Sequence, residues 1–161
     1  MIKRTPIRWL YEPRIIRFLE SLRAKRILEI GGATNSLRTH CEASNSFLTT
    51  DIRLGPGVDA VEDVTKLSFA DSSFDVVLLS NVLEHVFDHA RAVFECHRVL
   101  AAGGTLVIVV PFSYPLHDTP DDYWRFTEFS LVRLTKAFSS HELHIAGWRR
   151  FPIAYTLFAK K

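Results

Sequence analysis

RILEIGGATNSL, residues 26–37, is the stretch on which the fold turns. Ile27, Leu28 and Ile30 make an apolar run of strand length in which Glu29 is the one charge inside it. Such a run suits a strand of a parallel sheet covered on both faces. It breaks at Gly31 and Gly32, where a chain can turn sharply and a ligand can approach backbone without meeting a side chain. The glycine turn therefore lies at the carboxyl edge of a sheet, where open α/β folds bind ligands.

Working outward, the apolar runs repeat. Ser46 to Thr50 reads as a second strand ending at Asp51, about 20 residues beyond the glycine turn, where an acidic side chain can accept both hydroxyls of a ribose. Gly55, Pro56 and Gly57 break the chain before a brief strand over Val58 to Val61, closed by Glu62 and Asp63. Phe74 to Leu79 is nearly uninterrupted and apolar, as a central strand should be, and gives way to Ser80 and Asn81 with Glu84 and His85 just beyond. A helical stripe through Val86, Ala90, Val93, Phe94, His97 and Leu100 is expected to stop at Gly103 and Gly104 as a C-terminal cap. Thr105 to Val110 is the next strand, completing a βαβ unit. A long loop rich in proline and aromatic residues comes next, leading to a helix capped by Thr127 and spanning Leu131 to Phe138. Strands over His141 to Trp148 and Ile153 to Ala159, with no helix between them, predict an antiparallel pair at one edge. Upstream, Pro6 to Leu22 carries helical spacing that Pro13 should divide. These N-terminal residues, 1–24, are expected to flank or cover the core, 25–161, with Trp9 and Tyr11 either lining a pocket or packing on the sheet.

Composition narrows the function. With 161 residues, one domain is expected, and 47% hydrophobic with 24% charged residues is ordinary for a soluble protein. A net charge of +2 and a pI near 8.6 argue against a nucleic-acid binder. The basic residues Lys3, Arg4, Arg8, Arg14 and Arg17 fit a solvated helix face better than a nucleic-acid patch. Cys41 and Cys96 show no metal-type spacing, so neither a disulfide framework nor a metal site is expected. No run has the form of a signal peptide or a membrane span, which predicts a cytoplasmic protein. The sequence specifies no oligomeric state.

Three readings of the glycine turn compete: a plain βα connection, a dinucleotide site, and a site for an adenosyl amino acid. The dinucleotide pattern G-x-G-x-x-G lacks its third glycine here, which weighs against a nicotinamide oxidoreductase. The segments LEIGGATNS, TTDIR, EDVTKLSFADSSFDVVLLSNVLEHV and HRVLAAGGTLVIVVPF stand in an order and spacing that resemble a class I S-adenosylmethionine-dependent methyltransferase of the type 11 branch, from Ile27 to Phe112. The resemblance implies a Rossmann-like α/β fold with a seven-stranded, mostly parallel sheet in the order 3-2-1-4-5-7-6 and helices on both faces. It implies that Glu29, Gly31, Gly32 and Ala33 surround the methionine part of the cofactor, that Asp51 holds the ribose, and that Ile52 packs on the adenine. Asp63 and Val64 would meet the adenine edge, and Asn81 would stand near the sulfonium. The family's E-x-G-x-G-x-G is E-I-G-G-A-T-N here, so Ala33 and Asn35 replace two glycines. HDTPDDYWRFT resembles a stretch of family members encoded with polysaccharide or lipid-linked glycan genes.

The expected reaction is transfer of a methyl group to a small-molecule or glycan acceptor, through a hydroxyl. His117 is the expected base, since an imidazole near neutral pH can take the hydroxyl's proton, with His85 as the other candidate. The alternative for His117 is that it ties its loop. Tyr114, Trp124, His85 and Arg125 are the expected acceptor-side residues, although Arg125 is equally suited to an internal ion pair with Asp121 or Asp122. The competing function is a catalytically degenerate domain that binds S-adenosylmethionine or a partner protein, suggested by Ala33 and Asn35.

Overall fold

The structure, a computed structural model, describes residues 8–33 and 36–161. Seven strands form one sheet: β1 (Arg26–Ile30), β2 (Ser46–Asp51), β3 (Ala60–Val61), β4 (Phe74–Ser80), β5 (Leu100–Pro111), β6 (Ser140–Trp148) and β7 (Phe151–Lys160). Their order is β3-β2-β1-β4-β5-β7-β6, as the resemblance implies. The first five strands pair in parallel, and β7 runs antiparallel to both β5 and β6. The expected edge pair is therefore present, with β7 inserted beside β5.

Alternation along the central strands sends side chains to two cores. Leu28, Val77, Leu79, Leu106 and Ile108 face one layer with Ala92, Cys96 and Leu131, which come from α2 (His89–Val99) and α3 (Glu128–Leu134). Ile27, Val76, Leu78, Val107 and Val109 face the other, where Tyr11, Ile15 and Leu19 of α1 (Arg8–Ser21) close over them. Period-two strands thus bury both faces, and helices cover each.

Several local expectations are corrected. Pro13 does not divide the N-terminal helix: α1 runs through it, because the buried seam of Tyr11, Ile15 and Leu19 outweighs one missing backbone bond. Arg8 is not on a solvated face but buried and paired with Glu12; Lys3 and Arg4 lie outside the described residues. Trp9 is exposed, and Tyr11 packs on the sheet. Gly103 and Gly104 do not cap a helix. The helix ends at Val99 and both glycines lie inside β5, where a Cβ on Gly104 would meet Ala101 O at 2.8 Å and Asp75 O at 3.1 Å. Gly104 permits close strand approach at the register shift between Phe74 and Val76, and Gly103 takes a positive φ of +73°. The buried stripe of α2 is Ala92, Val93, Cys96 and Val99, whereas Phe94 is 55% exposed beneath the Arg91 guanidinium. The rotation follows from Glu95, which is buried and held by Arg91 and Arg98. The last helix lies earlier than expected, at Glu128–Leu134, and Thr127 does cap it, with Ser130 returning the bond. Neither cysteine is in a disulfide.

Candidate active site

The carboxyl ends of β1, β2 and β4 converge. At the end of β1 the N–H groups of Gly31 and Gly32 donate to Thr50 O at 2.8 and 3.2 Å, folding the turn back onto β2. Gly31 has φ +77°, and a Cβ on it would lie 2.4 Å from Val82 Cγ2, so the turns after β1 and β4 touch. A Cβ on Gly32 would lie 2.3 Å from Thr49 Cγ2 and 2.6 Å from Glu29 Oε2. The two glycines thus let the turn pack directly against Val82, Thr49 and Glu29 at the sheet edge.

Glu29 lies beneath this turn, buried. Its carboxylate accepts from Ser36 Oγ at 2.5 Å, Leu37 N at 2.7 Å and Thr49 Oγ1 at 3.2 Å. Burial pushes its carboxyl above the ordinary range, and those three donors pull it back. Ser36 and Thr49 were not foreseen from sequence; the signal available was a lone acid inside an apolar strand, which needs such donors.

Asp51 ends β2 with its carboxylate half-buried, accepting from Ala33 N at 3.2 Å and Arg53 N at 3.2 Å. Ile52 beside it is 61% exposed, an apolar side chain left at the crevice mouth. Asp51 O takes Glu62 N at 2.9 Å, which brings the end of β3 alongside. There Asp63 accepts from Thr65 N and Oγ1, which hold its carboxyl below the usual range, and Val64 is buried in the core. Asn35 lies outside the described residues.

On the other side of the turn, Asn81 has φ +56°, a conformation that asparagine tolerates better than most residues. Its Nδ2 donates to the buried Tyr11 hydroxyl at 2.9 Å. The backbone then makes a single turn, Leu83–His85, in which Glu84 is completely buried and neither of its carboxylate oxygens has a hydrogen-bond partner. Burial pushes its carboxyl up to about 8.

The loop after β5 docks on this turn. Tyr123 N and Trp124 N donate to Glu84 O at 2.8 and 3.2 Å, and Trp124 stacks edge-on against His89. His85 and His117 rings pack edge-on at 4.8 Å, with Tyr114 against His117 at 5.0 Å. His117 is tied through its loop: its N–H donates to Asp122, and its Nδ1 lies 3.2 Å from both Pro115 O and Asp122 Oδ2. Arg125 makes the internal pair, with two bonds to Asp122 at 2.6 and 2.8 Å. That pair holds the Asp122 carboxyl far below the usual carboxylate range, and no hydrogen bond joins Arg125 to Glu84. The structure thus brings together two groups: the glycine turn with Asp51, and Glu84, His85 and His117 on the far side of Asn81. The sequence places Glu84 beside His85 just past β4, but gives it no specific role.

A glycine turn, a carboxylate one strand away and an adjoining polar cluster meet at the carboxyl edge of the sheet, the edge at which open α/β folds bind ligands. The methyltransferase domain family matches residues 24–108, more than half of the chain, which therefore belongs to the class I S-adenosylmethionine-dependent methyltransferase family. A probable S-adenosylmethionine-dependent methyltransferase of Mycobacterium tuberculosis is 38% identical over 85 residues, covering 50% of this chain and 31% of that protein. The demethylmenaquinone methyltransferase of Paenarthrobacter aurescens is 34% identical over 112 residues, 65% of this chain and 42% of its own. The chain spans less than half the length of these curated relatives. The fold is shared with the 1,6-didemethyltoxoflavin N1-methyltransferase of Burkholderia thailandensis, solved with S-adenosylhomocysteine bound, at TM-score 0.73 and 19% identity over 92% of this chain and 76% of that one. Among the described residues, no helix is long and apolar enough to cross a membrane.

Proposed function

We propose that this protein transfers the methyl group of S-adenosylmethionine to a hydroxyl oxygen of a small-molecule or glycan acceptor. The observation that carries the reading is the meeting at one sheet edge of the glycine turn and Asp51 with a cluster of two imidazoles and a buried carboxylate. In this reading Gly31, Gly32 and Ala33 present backbone to the methionine part, with Glu29 bracing them from below. Asp51 accepts from the ribose hydroxyls, Ile52 covers one face of the adenine, Asp63 and Val64 border its edge, and Asn81 stands at the methionine end. When bound, S-adenosylmethionine supplies a methyl carbon already activated by its sulfonium sulfur. The protein's part is to align an acceptor oxygen with that carbon and to exclude water. His117, with Tyr114, Trp124, His85 and Arg125 framing the acceptor side, handles the hydroxyl proton. The Nδ1–H of His117 is directed at Pro115 O and Asp122, which leaves Nε2 as the lone-pair nitrogen.

Calorimetry with S-adenosylmethionine, then assay of S-adenosylhomocysteine release over a panel of hydroxylated acceptors, tests the reading. A product methylated on oxygen fits it. A product methylated on carbon or nitrogen overturns the hydroxyl assignment, and binding without turnover on any acceptor favours the degenerate domain. Asp51→Ala is expected to weaken cofactor binding by about 1 to 3 kcal/mol, the cost of an unmade hydrogen bond to a charged group; unchanged affinity in a folded variant removes Asp51 from the site. His117→Ala is expected to lower turnover roughly a hundredfold or more while leaving cofactor affinity within about twofold; parental turnover removes His117 from the reaction.

A further inference from the structure

We propose that Glu84, His85 and His117 hold a divalent transition-metal cation on the acceptor side of the crevice. One ligand atom from each lies within 4.8 Å of the others, and His85 Nε2 is 4.0 Å from Glu84 Oε1. Glu84 is 0% exposed with both oxygens unpartnered, so the group lacks the partner that a buried carboxylate requires. The Arg125 guanidinium does not supply one: its Nη1 and Nη2 bond to Asp122 and to the carbonyls of Tyr114, Pro115 and Trp124, and no bond reaches Glu84.

Both histidines are set in the form that binds a cation. His85 Nδ1 lies 3.0 Å from Asp121 O, and His117 Nδ1 lies 3.2 Å from Pro115 O and from Asp122 Oδ2. Carbonyl and carboxylate acceptors of this kind hold the proton on Nδ1 and turn a basic Nε2 toward a metal; they are the usual outer partners of metal-bound histidine. Ligands around a tetrahedral ion with bonds of about 2.1 Å lie roughly 3.4 Å apart, so side-chain rotation must close the cluster by about an ångström. Two imidazoles and one carboxylate suit zinc, cobalt, manganese or iron rather than calcium or magnesium, which favour oxygen alone. Three protein ligands leave coordination positions open.

This inference rests on the acceptor site assigned above. The open position would take the acceptor's oxygen and lower its pKa, so that its proton leaves to solvent on binding, before water is excluded for the transfer. His117 then acts on that proton through the ion instead of accepting it. The ion also clamps the loop after β5 to the turn after β4.

The test uses the full chain, stripped with a chelator and titrated with cobalt(II), followed by visible absorption, and with zinc(II), followed by calorimetry. One ion per chain is expected, with ligand-field bands of a four- or five-coordinate site. Glu84→Gln, close in shape to the parent, and His117→Ala should each weaken binding about tenfold or more, while His97→Ala, on the far side of α2, keeps it. Absence of bands and heat overturns the proposal, and so do bands that survive both Glu84→Gln and His117→Ala in proteins with parental circular dichroism. An ion that binds as expected in a chain without methyl transfer upholds the metal site and overturns the function assigned to it. Undiminished transfer in chelator-stripped protein that takes up no cation does the opposite.

Discussion

Arg125→Ala is expected to lower the unfolding free energy by about 3 kcal/mol, near the low end of the cost of removing one partner from a buried ion pair. The Asp122 side chain is 0% exposed and Arg125 24%, so the loss leaves a carboxylate inside the loop with His117 as its remaining neighbour of opposite potential charge. Arg125 also ties the carbonyls of Tyr114, Pro115 and Trp124, and no shorter side chain reaches all three. Thermal unfolding should shift down by roughly 6 to 12 °C for a chain of this size. Arg125→Lys should not restore it, because one ammonium cannot repeat a two-pronged bond to Asp122. Cofactor affinity should hold within about twofold, since no contact of Arg125 reaches the glycine turn. A melting temperature equal to the parent's, or rescue by lysine, would show that the loop is held by something else.

Gly32→Ala is the second large effect. The added carbon would sit 2.3 Å from Thr49 Cγ2 and 2.6 Å from Glu29 Oε2, both on buried side chains. Neither is the free end of a long chain, so the backbone of the turn must move. Overfilling such a site costs about 1 to 3 kcal/mol, and this one also pushes on the carboxylate that holds Ser36 and Leu37. Binding of S-adenosylmethionine should weaken about thirtyfold or more, equivalent to roughly 2 kcal/mol. Gly57→Ala is the comparison: a Cβ there meets nothing within 4 Å, so its cost is confined to backbone strain at φ +80°. Equal cofactor affinity for the Gly32→Ala variant and the parent would remove the turn from the binding site.

The sheet was readable because its strands are buried on both faces. Ile27, Val77, Leu79 and Ile108 have no solvent side to interrupt them, so composition alone marks β1, β4 and β5. Misreadings arose where a tertiary partner overrides local preference. Glu95 looks like a surface residue until Arg91 and Arg98 are seen around it, and its burial rotates the stripe of α2. Gly103 and Gly104 look like a helix stop, yet both lie inside β5, where Gly104 relieves crowding against β4 that sequence distance conceals. At the candidate site, the place of Glu29 is implied by the family resemblance, whereas Asp51 and Asn81 stand at strand ends and are legible from periodicity. The cluster of Glu84, His85 and His117 is not, because a loop beyond another strand supplies its third member. The choice for Arg125 between an acceptor and Asp122 needed coordinates, since both partners offer the same carboxylate chemistry.

The bond from Asn81 Nδ2 to the Tyr11 hydroxyl ties a helix on one face of the sheet to the mouth of the crevice. Seating of α1 and the stance of that amide are therefore linked equilibria. A molecule that prefers the amide as Tyr11 holds it will tighten the helix against its sheet, and a helix worked loose will surrender affinity in equal measure. Occupancy would then be readable as slower exchange of amide hydrogens along α1.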